Sequence, residues 1–248
     1  MPSRDGAAAT RLDVPRTYNF RPAAPNVLAP GRLYRSDALH RLTRAGRRAL
    51  ADLGIRVVID LRSDLDRRIG GRDRLRGSSA TRVAIPISGA SPGTDPGSLD
   101  LRGVYRSILT HHRAELATAI HAVAAAVGPV LVHCTAGKDR TGLVVALILT
   151  AIGIDEETVV ADYAATQANL AGEWTEGMLR KVRRFRVPVT DNLLEVLAHS
   201  PEAALRDTLD WLDDEHGGVT AYLQSIGVDD TVVTSLRTAL LPVREMGG

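Results

Sequence analysis

From Thr43 to Gly54 the segment TRAGRRALADLG places apolar residues at helical spacing between a capping threonine and a closing glycine, and the β-branched run IRVVID follows it. This pattern predicts a short helix and then a buried strand at Ile55–Asp60. A second short strand is expected around Arg82–Ile87. After it, SGASPGTDPGS (Ser88–Ser98) holds too much glycine and proline for regular structure and reads as a long loop. Val104, Ile108, Leu116, Ile120 and Val123 then recur at helical spacings, predicting a helical stretch broken near His111 and His112 and stopped by Gly128 and Pro129.

Next comes PVLVHCTAGKDRTGLVVALILTAIG, which reads as a strand, a polar glycine-containing turn and an apolar helix running from near Arg140 to Gly153. Beyond Asp155 the chain reads as helical, with starts at Asp155, Thr190, Ser200 and Asp229 and stops at Gly172, Gly217 and Gly227. Residues 1–30 carry Pro2, Pro15, Pro22, Pro25 and Pro30 with little apolar periodicity, so they are expected as an extended arm across a surface. Residues 31–248 are expected as a single α/β domain. It would have a central sheet with helices on both sides, a catalytic loop at 133–142, and a helical lid and C-terminal section over about 155–241.

Composition narrows this reading. With 248 residues, 44% of them hydrophobic and 24% charged, the chain can bury a real core and is not disordered. A formal net charge of +2 argues against a nucleic-acid partner. No run reaches the ~20 apolar residues of a membrane span, so no stable membrane insertion is expected. Met1–Phe20 carries Arg4, Asp5, Arg11 and Asp13 without an apolar stretch, which argues for a cytoplasmic protein or one exported without a classical signal peptide. The pattern does not fix an oligomeric state. The single cysteine, Cys134, excludes internal disulfides and thiolate-rich metal sites, so no metal or cofactor is expected. Lys138 and Lys181 are the only lysines among 31 basic residues, which makes Lys138 an informative exception.

The chemistry concentrates in His133-Cys134-Thr135-Ala136-Gly137-Lys138-Asp139-Arg140-Thr141-Gly142. Five residues between Cys134 and Arg140 can curl so that backbone N–H groups point at one tetrahedral anion, while the arginine adds a bidentate fork. Those dipoles and the helix N-terminus lower the cysteine pKa, so Cys134 is the candidate nucleophile. Thr135, Ala136, Gly137, Lys138, Asp139, Arg140 and Thr141 are the candidate substrate-binding residues, with Gly137 supplying backbone freedom. A nucleotide-binding loop is rejected, because Asp139 stands where a Ser or Thr would hold magnesium and Val132 where the first glycine should be. His133 fits a structural role, bracing the loop through a backbone bond. Lys138 reads as a second cation at the rim, suited to a substrate with more than one phosphate. In GEWTEGMLRKVRRFR, Trp174, Met178, Val182 and Phe185 lie near one helical face, with arginines and Lys181 largely on others. This is ordinary amphipathic packing or a basic lid for acidic lipid heads or phosphopeptides.

The motif HC-x5-R-[S/T] resembles the signature of the protein tyrosine phosphatase superfamily. More narrowly, HCTAGKDRTG is similar to the bacterial branch of tyrosine, dual-specificity and phosphoinositide phosphatases. Tyr34-Arg35-Ser36, Asp60-Leu61-Arg62-Ser63 and Ala161-Asp162-Tyr163 fall where that branch has similar words. The chain departs from the pattern after Asn19-Phe20-Arg21, where Pro22, Ala23 and Ala24 replace an acid and a glycine pair. The resemblance implies a cysteine-dependent phosphatase acting on a phosphorylated protein or phosphoinositide through a phosphocysteine intermediate, with Thr141 easing departure of the thiolate. It makes Asp139 the favoured general acid. Asp95 and Asp100 lie where many dual-specificity phosphatases keep theirs, and Asp60, Asp64 and Asp66 are further candidates, although Asp60 and Arg62 better suit fixing the loop. A sulfurtransferase-type cysteine enzyme and a catalytically idle phosphate-binding module are the alternatives.

Overall fold

Each interior strand is a short apolar run whose alternate side chains leave in opposite directions, so the sheet must be covered on both faces. In the computed structural model, which describes residues 11–89, 100–184, 186 and 188–243, five strands satisfy this demand. They are β1 (Arg21–Pro22), β2 (Leu33–Ser36), β3 (Val57–Arg62), β4 (Thr81–Ile87) and β5 (Val130–His133), and their order across the sheet is β1-β2-β5-β3-β4. The β1 strand runs antiparallel to β2, and the other pairs are parallel. Tyr34, Val58 and Leu131 point to one face, where they meet Val14, Phe20 and Leu50. Leu33, Ile59, Val130 and Val132 point to the other and join the larger core.

The helices are α1 (Arg44–Asp52), α2 (Asp64–Gly70), α3 (Leu101–His111), α4 (Arg113–Ala124), α5 (Asp139–Ala151) and α6 (Glu156–Leu170). After them come α7 (Glu173–Arg184), α8 (Asp191–Ala198), α9 (Glu202–His216), α10 (Val219–Ser225) and α11 (Asp230–Leu240). Side-chain caps start α1, α6, α8 and α11 at Thr43, Asp155, Thr190 and Asp229, where the sequence places them. The helical stretch after residue 100 breaks at His112, as its pattern indicates. Helix α9 is entered from Pro201 rather than Ser200, whose hydroxyl is buried without a partner.

Helix α2 and strands β1 and β2 lie outside the pattern-based expectations. Helix α2 forms because Ser63 and Asp66 make a reciprocal capping box. The N-terminal segment, expected as an arm across a surface, joins the sheet through β1 and buries Phe20, Ala23, Ala24 and Leu28. Pro15, Pro25 and Pro30 sit in turns and Pro22 in the edge strand, where a missing N–H costs nothing.

The registers position the site. Ser36 lies opposite His133, and His133 opposite Asp60, so β2 and β5 end level at one rim and β3 runs two residues past it to Arg62. The loop after β5 leaves that rim between the chain following β2 and the chain following β3. Among the described residues, no helix is long and apolar enough to cross a membrane.

Candidate active site

The segment from Cys134 to Lys138 links the end of β5 to the start of α5, and every carbonyl in it accepts from a donor outside the turn. Cys134 O meets His133 Nδ1 at 3.2 Å, Thr135 O accepts from Ala38 N at 3.2 Å, and Ala136 O accepts from Asn19 Nδ2 at 3.0 Å. Gly137 O accepts from Asn19 Nδ2 at 3.1 Å and Arg35 Nη2 at 2.9 Å, and Lys138 O closes the first helical turn with Gly142 N at 2.7 Å. In a trans peptide the carbonyl and the following N–H point in opposite directions. Carbonyls fixed outward therefore fix the N–H groups of Thr135, Ala136, Gly137 and Lys138 inward, and none of these donates to a protein acceptor among the described residues. The result is a ring of free donors at a helix N-terminus, an anion cradle.

The braces are themselves buried. Arg35 pairs with Asp162 and Arg21 donates to Asp162 O at 2.8 Å, which ties β1 and β2 to α6 directly behind the loop. Burial works against the Asp162 charge, but Arg35 and Arg21 outweigh it and hold the carboxyl below its usual range. Gly137 adopts φ +69°, and a Cβ there would lie 2.2 Å from Ser36 O, so only glycine lets the loop approach β2 this closely. On the other flank, Arg62 bridges Asp60 at 2.9 Å and Asp73 at 2.7 Å, and Asp73 meets His133 Nε2 at 3.1 Å. Burial lowers the His133 pKa and these carboxylates raise it, leaving it above the ordinary histidine value. Both ring nitrogens thus face acceptors, the pattern of a charged imidazole bracing the loop.

Cys134 lies at the base of the cradle, with about 1% of its surface exposed. Burial pushes its thiol pKa up, while the Arg140 charge and the Thr141 hydroxyl and N–H pull it down, and the net shift is downward. Among the described residues the Thr141 hydroxyl has no other partner. Arg140 Nη1 reaches Asp66 at 2.5 Å and Ile87 O at 3.0 Å, and Nη2 reaches Thr135 Oγ1 at 3.2 Å. That leaves Nε and one Nη2 hydrogen for an anion.

A model of the tyrosine phosphatase family matches residues 12–242. The chain belongs to the tyrosine phosphatase family. It is a phosphoric monoester hydrolase of that superfamily and is similar to the "triple specificity protein phosphatase" PtpB of Mycobacterium tuberculosis, with 31% identity over 92% of this chain and 98% of that one. It is also similar to a tyrosine-protein phosphatase of Nostoc commune, 29% identical over 94% of this chain and 92% of that one. Among solved structures, Pseudomonas aeruginosa TpbA is 22% identical, covering 79% of this chain and 100% of that chain at a TM-score of 0.40.

In this phosphatase one expectation is overturned. Lys138 is not a rim cation. Its side chain is fully buried, and Nζ donates to Glu195 O, Val196 O and His199 O at 3.1, 2.6 and 2.7 Å. Three carbonyls at the end of α8 offer a buried ammonium more than solvent access from the rim would, and they draw the side chain away from the loop interior.

The acid candidates separate by location. Asp139 Oδ1 accepts from Tyr105 Oη at 2.8 Å and lies 3.3 Å from Lys138 Nζ, and Tyr163 Oη stands 2.6 Å behind Tyr105. Asp66 is bound to Arg140 and Ser63; burial raises its pKa, but those partners bring it below the usual range. Asp100 caps α3, Asp64 is exposed beside Arg67, and Asp60 serves Arg62 and Arg82. Asp95 and Phe185 lie outside the described residues. Asp60, Asp73 and His133 bring potential ligand atoms within 4.8 Å of one another, but Arg62 and Arg82 already occupy the same carboxylates.

Sequence reasoning assigned no site role to Asn19, Tyr105 or the Arg140–Asp66 contact. Asn19 belongs to a word noted in the sequence, but its reach to the loop depends on β1 pairing, which two residues of Arg-Pro do not announce. Tyr105 sits beside the apolar stripe of α3 and reads as core.

Proposed function

We propose that the protein hydrolyses phosphate monoesters, with phosphotyrosine as the principal class and phosphoserine, phosphothreonine and phosphoinositides as further classes, through a phosphocysteine intermediate. The observation that carries the reading is the set of outward carbonyls that turns the Thr135–Lys138 amides toward a single point above Cys134. The name of the mycobacterial relative supports the breadth of substrate.

The steps follow from these groups. The Cys134 thiolate attacks phosphorus, an S–P bond forms and the P–O bond to the leaving group breaks. Asp139 gives its proton to the departing oxygen. Arg140 and the loop amides hold the equatorial oxygens as their charge redistributes. Water then attacks phosphorus, Asp139 accepts its proton, and the S–P bond breaks to return the thiolate, which the Thr141 hydroxyl stabilises. Tyr105, by occupying Asp139 Oδ1, leaves Oδ2 as the transferring oxygen. The N-terminal segment acts with the rest of the chain as one catalytic unit, through Asn19.

The test is hydrolysis of p-nitrophenyl phosphate. Vanadate should inhibit it, and Cys134→Ser should lose at least about 10³-fold in turnover while still binding vanadate. Near wild-type turnover by Cys134→Ser would sink the mechanism, and cyanide-dependent thiosulfate turnover without phosphatase turnover would favour the sulfurtransferase class.

A further inference from the structure

Beside the catalytic loop lies a recess of about 190 Å3 that the reaction as described leaves unused. Thr135, whose hydroxyl already touches Arg140, forms part of its wall, so the recess opens directly off the anion cradle. Its other walls come from the N-terminal segment, the turn after β2, and α7. Each of these contributes cations: Arg16, Arg41, and Arg180 with Lys181. Among the described residues Arg16, Arg41 and Lys181 form no ion pair, whereas Arg180 lies 3.7 Å from Glu176. Arg16 is held at φ +71°, in the left-handed region that a residue with a side chain occupies only under constraint.

Against these four cations the recess holds two carboxylates, Asp37 and Glu173, so its lining carries an excess of positive charge. Asp37 accepts from the Tyr18 and Asn19 amides at 2.8 and 2.9 Å, and burial together with the neighbouring Glu173 carboxylate raises the Tyr18 pKa. His40 stands in the same wall; among the described residues its Nδ1 is buried without a partner, and burial first, then Arg62, Lys181 and Arg41, lowers its pKa to about 4. The recess is therefore a positive, partly enclosed space next to a site built for one phosphate.

We infer that this recess is a subsite for a second phosphate carried by the same small substrate, so that a polyol bisphosphate, as in an inositol bisphosphate headgroup, is preferred over a singly phosphorylated compound. The inference rests on the phosphatase reading. Cations from three separate elements suit the several oxygens of a phosphate dianion better than the single charge of an acidic side chain, which one fork satisfies. The discriminating cations are thus Arg41 and Lys181, not Lys138.

The test compares the wild type with an Arg41→Ala/Lys181→Met double variant on four substrates: p-nitrophenyl phosphate, a soluble inositol bisphosphate, a lipid with the same headgroup in neutral phosphatidylcholine vesicles, and a tyrosine phosphopeptide with an adjacent acidic residue. The ratio of kcat/KM for each bisphosphate to that for p-nitrophenyl phosphate should fall about tenfold or more in the double variant, equally for the soluble and vesicle forms. Equal changes on all substrates would overturn the subsite. An effect confined to vesicles would replace it with a membrane-facing surface, and one confined to the peptide with an acidic-peptide site. Calorimetric binding of the soluble bisphosphate to Cys134→Ser protein, weakened at least about tenfold by the double substitution, reads the subsite without turnover. Failure of p-nitrophenyl phosphate hydrolysis would sink the phosphatase reading, whereas unchanged bisphosphate binding would sink only the subsite.

Discussion

Helices α5 and α7 both border the catalytic loop, yet they are built in opposite ways. From Arg140 to Leu149 every residue of α5 is buried, and the helix packs against the sheet and its neighbouring helices on all sides. Helix α7 has no buried residue. The first belongs to a framework that holds the loop amides in place; the second is a cover, whose neighbour α8 is tied to the loop by the three bonds of Lys138. The comparison separates what fixes the reacting anion from what shapes access to it, and it predicts unequal costs for damage on the two sides.

The largest effect is expected at the framework. Arg35→Ala removes the ion-pair partner of buried Asp162, leaving it the Ala24 amide and the nearby Arg21 charge, and takes one of two donors from Gly137 O, so it should destabilise the fold by about 3–5 kcal/mol in chemical denaturation. The pH dependence should change as well. A depressed carboxylate such as Asp162 stabilises the fold fully above its unfolded value of ~3.9 and loses that contribution as pH falls through its folded value. In Arg35→Ala the acid limb of the stability profile should flatten below about pH 4. An effect under about 1 kcal/mol would mean that Asn19 alone braces the loop.

A smaller effect is expected at the cover. Lys138→Met removes the donor shared by the α8 carbonyls and should cost about 1–3 kcal/mol. Because Nζ faces away from the cradle, KM for p-nitrophenyl phosphate should change by less than about threefold, and the preference for bisphosphates should stay as it is. A selective loss of bisphosphate affinity in this variant would return Lys138 to the rim and break the distinction between framework and cover.

The framework was the more legible half. The strand, turn and helix around Cys134 follow from an apolar run, a glycine and a second apolar run, and several caps follow from single side chains. Cys134 and Arg140 stand out because few other roles need that spacing. What the sequence hid depends on long-range pairing. Asn19 reaches residues more than a hundred positions away only after β1 has joined β2. Lys138 reads as a substrate contact because it stands in the loop between Cys134 and Arg140, and only the placement of α8 shows where its ammonium goes. Asp66 reads as one carboxylate among several until α2 brings it to Arg140.

The central claim is that the braced loop and Arg140 hold Cys134 as a thiolate, and the pH dependence of its alkylation by iodoacetate tests this most directly. Cys134 is the single thiol of the chain, so modification is unambiguous. The rate should rise with a midpoint below the ~8.5 of an ordinary cysteine, phosphate should protect, and Arg140→Ala should move the midpoint upward. A midpoint at or above ~8.5 in the wild type, or one that Arg140→Ala leaves unmoved, would contradict it.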